Sequence, residues 1–163
     1  LLAALASGDP VIYMEHKELW GVPGEVVPGD VVPLGKARTV REGKDVTIVS
    51  WSRQVRACAE AAEQLAAQGV QAEVIDLRTI WPWDKDAVLA SVAKTGRLLV
   101  VHEAIQVAGF GAEIAATVAE PTNAKVARLG APRIPVGYAP TLEAESRVDA
   151  AKIAAAAQQL VRR

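Results

Sequence analysis

Three features of the 163-residue chain predict an α/β fold, with a mostly parallel sheet covered by helices on both faces. The apolar run Val46-Thr47-Ile48-Val49 is unbroken and largely β-branched, as in a parallel strand buried on both sides. Amphipathic stretches at helical spacing follow the strand-like runs, and glycines stand where those helices must stop. From Asp45 onward strand and helix alternate, which calls for right-handed crossovers within one sheet.

Residues 1–44 have a different texture. A Leu/Ala stretch is stopped by Gly8-Asp9-Pro10, an apolar run Val11-Ile12-Tyr13-Met14 follows, and Pro23, Gly24, Pro28, Gly29 and Pro33 then punctuate the chain. Proline removes backbone donors and glycine loosens the chain, so little regular structure is expected there. The segment reads as the end of one domain plus a linker, and the chain as cut from a longer one, because it opens without Met or the marks of a signal peptide.

The first strand of the regular part, over 46–49, leads to a helix. Ser52 is its expected cap, Val55, Cys58, Ala59, Ala62, Leu65 and Ala66 its apolar face, and Gly69 its left-handed stop. A second strand, 72–77, runs into Arg78-Thr79-Ile80-Trp81-Pro82-Trp83, after which Asp84 caps a helix to about Lys94 that Gly96 closes. A third strand, 98–101, meets His102-Glu103, and Gly109-Phe110-Gly111 opens a helix over 112–119. A weaker strand is expected over 126–129. The terminal helix, 149–161, turns Ile153, Ala157, Leu160 and Val161 to one side.

Composition narrows the function. With 18 basic and 19 acidic side chains there is no surplus positive charge, which disfavours nucleic acid and an anionic membrane surface as partners. No apolar run approaches the roughly 18 to 20 residues of a membrane span. One cysteine, Cys58, excludes an intrachain disulfide framework and suits a reducing, cytoplasmic setting.

In parallel sheets, ligands and partners meet the loops at the carboxyl ends of the strands. That edge is expected to carry Ser50 to Ser52, Arg78 to Trp83, and His102 to Gly111. Arg78, Trp81 and Trp83 are residue types enriched at binding hot spots, and the bland alternative is that the tryptophans pack under the next helix. His102 and Glu103 invite a metal reading, but the second histidine a zinc protease needs at position 106 is Gln106. They are read as structural, with a role at or behind an interface as the alternative. Gly109-Phe110-Gly111 lacks the third glycine of a dinucleotide fingerprint, since Ile114 stands there, and is read as a tight turn with close helix packing. Cys58 lies on an apolar helix face and is no nucleophile candidate. Glu15-His16-Lys17 reads as a solvated or interdomain stretch.

Taken in order, Asp76 to Ile80 with Pro82-Trp83-Asp84, Lys94 to Leu99, His102-Glu103-Ala104, and Gly109 to Ile114 closely resemble the transketolase C-terminal-like domain of beta subunits in branched-chain 2-oxo acid, pyruvate and acetoin dehydrogenases. Pro10 to Lys17 and Pro33 to Ala37 look like that family's connection from its pyrimidine-binding domain, so the resemblance covers nearly the whole chain. One departure is a shortened stretch between Glu120 and Arg128, where Thr122-Asn123-Ala124-Lys125 replaces the usual run.

The resemblance implies a three-layer sandwich with a mostly parallel five-stranded sheet. It divides the chain into 1–44, the end of the pyrimidine-binding domain and a linker, and 45–163, the transketolase C-terminal-like domain. The parent enzyme it implies is an oxidoreductase that decarboxylates a 2-oxo acid on thiamine diphosphate with magnesium and passes the acyl group to a lipoyl arm. The cofactor would lie outside this fragment, which would have no catalytic, cofactor-binding or metal residues of its own and no activity in isolation. Its implied partners are the alpha subunit, a second beta subunit and the subunit-binding domain of the dihydrolipoyl acyltransferase. Two alternatives are a stand-alone flavodoxin-like module that docks a protein or nucleotide, and a fragment of transketolase or deoxyxylulose-phosphate synthase.

Overall fold

The computed structural model describes residues 1–162. After a short helix α1 (Leu2–Ala6) and a single 3-10 turn (Lys17–Leu19), the chain forms β1 (Arg38–Arg41), β2 (Val46–Ser50), α2 (Gln54–Ala66) and β3 (Ala72–Asp76). It continues through α3 (Lys85–Thr95), β4 (Arg97–Ile105), α4 (Gly111–Ala119), β5 (Lys125–Ala131), α5 (Pro140–Ser146) and α6 (Ala150–Arg162).

Five strands make one sheet in the order β1-β3-β2-β4-β5, parallel throughout except for β1, which pairs antiparallel with β3. The α/β sandwich expected from the sequence is the observed architecture. Alternation along the strands sorts the core into two layers. Val46, Ile48, Leu99 and Val101 face α2 and α6, where Cys58, Leu65, Ile153 and Leu160 meet them. Val49, Leu98 and Val100 face α3 and α4, against Val88, Val92, Ile114 and Val118. A buried hydroxyl trio ties β2 to α3, since Thr47 Oγ1 lies 2.7 Å from both Ser91 Oγ and Thr95 Oγ1.

Local chemistry accounts for several boundaries. Asp84 Oδ1 accepts the Ala87 N–H at 3.2 Å as the α3 cap, and Gly96 ends that helix with φ 66°. Ser52 departs from expectation. It takes a left-handed conformation, φ 56°, and α2 starts after Arg53 with no side-chain cap. Thr122 Oγ1 donates to the Val118 carbonyl and accepts from Ala124 N–H, so the connection from α4 is a tight turn into β5.

β1 lies within residues 1–44 and pairs with β3 at the edge of the sheet. Gly43 makes that edge possible, since a Cβ there would stand 2.2 Å from the Ala72 carbonyl carbon and the Glu73 nitrogen. Glu73 is buried beside it. Burial works to raise its carboxyl, but hydrogen bonds from Lys94, Ser91 and the Gly43 N–H hold it below the usual range.

Candidate functional site

The chain crosses from one half of the sheet to the other between β2 and β4, and the loops after β2, β3 and β4 gather at that switch point. Each contains a non-glycine residue at positive φ: Ser52 at 56°, Arg78 at 60° and Ala108 at 59°. Such backbone is uncommon outside glycine, and its recurrence on one edge marks where the fold spends stability on loop geometry.

His102 sits beneath this edge and is 1% exposed. The third strand runs on past it to Ile105, further than the apolar pattern predicts, with a register irregularity between Val101 and Ile105. Its Nδ1 donates to the Ala104 carbonyl at 2.9 Å, which fixes the neutral tautomer with the proton on Nδ1. Its Nε2 has no partner among the described residues. Three glycines enclose the ring: a Cβ at Gly109, Gly111 or Gly130 would stand 2.7, 2.6 or 2.6 Å from an imidazole atom. The two glycines read from sequence as a tight turn are thus also the space that the histidine fills. Burial pushes the His102 pKa down, the Ala104 carbonyl works against that, and the Arg128 charge adds to the depression.

The same ring stacks on Trp51, Trp51 meets Phe110 edge-on at 5.8 Å, and Phe110 meets Trp83 edge-on at 6.4 Å. Trp83 and His102 therefore close one aromatic run that braces the three loops. Trp51 and Phe110, its middle members, carry no periodic signal in the sequence. Trp81 stands apart, 80% exposed, with exposed Arg78 on the same loop. The Arg78 N–H donates to Asp76 Oδ1 at 3.1 Å, and burial raises the Asp76 carboxyl against this bond and the Arg38 and Arg78 charges.

Glu103 points the other way, into a charge network that the sequence does not announce. It meets His16 at 2.9 Å and Arg53 at 3.6 Å. Gln106, at the position a zinc ligand would take, instead ties β4 to β5: its Oε1 accepts the Gly130 N–H at 3.2 Å. Among the described residues no group of three His, Cys, Asp or Glu side chains is placed to hold a metal ion. Cys58 is fully buried, and burial pushes its thiol up to about 12.

Comparison with known proteins puts this geometry in context. A family model described as the C-terminal domain of transketolase matches residues 35–153. The beta subunit of acetoin:2,6-dichlorophenolindophenol oxidoreductase of Cupriavidus necator is 44% identical over 167 residues, covering 99% of this chain and 49% of that protein. The beta subunit of 2-oxoisovalerate dehydrogenase of Bacillus subtilis is 38% identical and covers 98% and 51%. The mitochondrial beta subunit of the pyruvate dehydrogenase E1 component of Dictyostelium discoideum is 39% identical and covers 100% and 48%. A solved structure of a split-gene transketolase, described as an inactive beta4 tetramer, superposes with TM-score 0.78 at 28% identity, over 87% of this chain and 47% of that one. The chain spans about half the length of these relatives.

Proposed function

The chain belongs to the transketolase C-terminal domain family, and on that premise we propose that it is the carboxy-terminal part of the beta subunit of a thiamine-diphosphate-dependent 2-oxo acid dehydrogenase. In this reading the parent enzyme decarboxylates a 2-oxo acid oxidatively and transfers the acyl group to lipoyl groups. This part holds subunits together and presents a docking face. The observation that carries the reading is that the beta subunits of a pyruvate dehydrogenase, a 2-oxoisovalerate dehydrogenase and an acetoin oxidoreductase align with 98% or more of the chain while extending to about twice its length.

The residues at the carboxyl edge do not fit the cofactor. Gly109 and Gly111 could let a phosphate approach a helix start, but the His102 ring already occupies the space in front of them. We therefore give this part no catalytic step and place thiamine diphosphate and its magnesium in the rest of the parent enzyme. The domain start is set near residue 35, ahead of β1, and the segment before it is assigned to the preceding domain and linker. The cytoplasm remains the proposed compartment.

Assembly is the role the surface favours. Trp81 and Arg78 form an exposed aromatic and cationic pair on a braced loop, and Val136, Tyr138 and Leu142 leave further apolar surface uncovered. The partners proposed are the alpha subunit, a second beta subunit and the acyltransferase's subunit-binding domain. Trp83, His102 and Glu103 act behind that surface, holding the loops.

The test is a decarboxylation assay on the full-length beta subunit co-expressed with its alpha partner, comparing pyruvate with branched-chain 2-oxo acids. Turnover of one of them that needs thiamine diphosphate supports the reading and names the substrate. A correctly assembled pair that turns over none of them returns the flavodoxin-like binding module to first place.

A further inference from the structure

The loop from β4 to α4 is tied to the sheet at its first residue. Gln106 N–H donates to the Ala131 carbonyl at 2.9 Å, Gln106 Oε1 accepts the Gly130 N–H at 3.2 Å, and the Arg128 guanidinium donates to the Gln106 carbonyl at 3.0 Å. From there the chain turns through Ala108 at φ 59° and wraps the His102 ring with Gly109 and Gly111. α4 then begins without a side-chain cap, so its amino end, which carries partial positive charge, closes directly on the imidazole.

The ring meets that end with a particular edge. Nδ1 keeps its proton for the Ala104 carbonyl, so Nε2 turns a lone pair toward the first turn of α4. A Cβ at Gly111 would stand 2.6 Å from Nε2 and one at Gly109 3.2 Å, and Nε2 has no hydrogen-bond partner among the described residues. A lone pair facing the positive end of a helix is attracted to it, whereas an N–H at the same place is repelled.

The charges on the surrounding elements give such an N–H no counter-ion. On β5, Arg128 acts against a charged ring. On β4, Glu103 is turned to His16 and Arg53. After β2, Arg53 is engaged by Glu103 and by Glu18, which Arg147 also meets. After β3, Asp84 accepts the Ala37 and Ala87 amides. In the first turn of α4, Glu113 is exposed and accepts from Thr117 Oγ1.

We propose that His102 is a proton-operated pin for the loop between β4 and α4: its neutral ring holds residues 107–111 and the first turn of α4 in place, and a proton at Nε2 turns that hold into repulsion and frees them while the rest of the sheet stays folded. Trp51 and Phe110 belong to the same aromatic run, so release also loosens the brace between the loops after β2 and β4. With the loop freed, the imidazole is an ordinary one that binds a proton near pH 6.5; in the closed state burial and the Arg128 charge move that uptake to lower pH. Opening therefore rises as pH falls through 6.5 and levels off below the pKa of the closed ring. The pin is made of buried residues of this chain and does not depend on the proposed parent enzyme.

The experiment is amide hydrogen exchange on the 163-residue chain, corrected for intrinsic rates, with the His102 ring followed by NMR in the same samples. Between about pH 7.5 and about pH 5, protection at the Ala112, Glu113 and Ile114 amides is expected to fall roughly tenfold, while Ile48 and Val49 in β2 stay protected. His102→Gln takes no proton and should show no such pH dependence, whatever its protection at the higher pH. If that variant does not fold, the unmodified chain decides: the fall must begin near pH 6.5 and level off below the midpoint at which the ring itself titrates. Protection at the three amides that does not change between these pH values, a loss shared by Ile48 and Val49, or a loss that persists in His102→Gln overturns the pin.

Discussion

The imidazole of His102 lies nearly flat against the indole of Trp51, with ring centroids 5.6 Å apart and planes 19° from parallel. This stack joins β4 to the loop after β2 where the chain crosses between the halves of the sheet. Glycines line the Cδ2, Nε2 and Cε1 edge of the imidazole, where a Cβ at Gly109, Gly111 or Gly130 would stand within 2.7 Å of a ring atom.

The glycine enclosure predicts a coupled cost. Gly111→Ala puts a methyl within 2.6 Å of two ring atoms and is expected to destabilise the chain by about 2 kcal/mol, the usual range for overpacking. In combination with His102→Ala the penalty should fall well short of the sum, because the methyl then enters the space that the ring left. Urea unfolding of the two single variants and the double variant checks both statements.

The pH dependence has a definite sign. The native state disfavours protonation of His102, so its folded pKa lies below the 6.5 of an unfolded histidine. The unfolded chain thus binds this proton first. Stability is full above 6.5, falls as pH drops through 6.5, and levels off below the folded pKa. With only two histidines in the chain, an NMR titration resolves the ring directly: His102 should remain neutral, protonated on Nδ1, at pH 6.5.

Thr47→Val tests the buried hydroxyl trio. Ser91 Oγ loses the partner it has at 2.7 Å, while Thr95 Oγ1 keeps its bond to the Arg97 carbonyl. The expected loss is about 1 kcal/mol in thermal or urea unfolding, the net worth of a hydrogen bond, because Ser91 keeps its bond to the Glu73 carboxylate.

Cys58 should report global unfolding. With its thiol buried and raised to about 12, labelling by a thiol reagent at pH 8 is expected only when the chain opens. Rates that parallel the unfolding equilibrium across a urea series confirm this; fast labelling of the native chain contradicts it.

If the exposed surface serves assembly, the isolated chain should self-associate or bind an apolar dye. Light scattering over a concentration series is the measurement. Trp81→Ser and Tyr138→Ser, which remove two well-exposed rings, should weaken the association without changing stability. A strictly monomeric chain with no dye binding at high concentration counts against the assembly role.

The sequence by itself determined the alternation of β2, α2, β3, α3, β4 and α4, the Asp84 cap, the Gly96 stop and the two-sided core. Those features are local. A strand buried on both faces must be apolar throughout, a helix needs an apolar stripe, and a helix end needs a particular side chain or a glycine within a few residues. Tertiary structure decided which distant residues meet. Gly130 encloses His102 only because β5 lies beside β4, and β1 joins the sheet only because Gly43 lets the backbone pass close to Ala72 and Glu73. The His16, Glu18, Arg53, Glu103 and Arg147 network was invisible in the sequence for the same reason. A charged side chain is equally at home in water or in an ion pair, so nothing in its local pattern says which partner the folded sheet will bring to it.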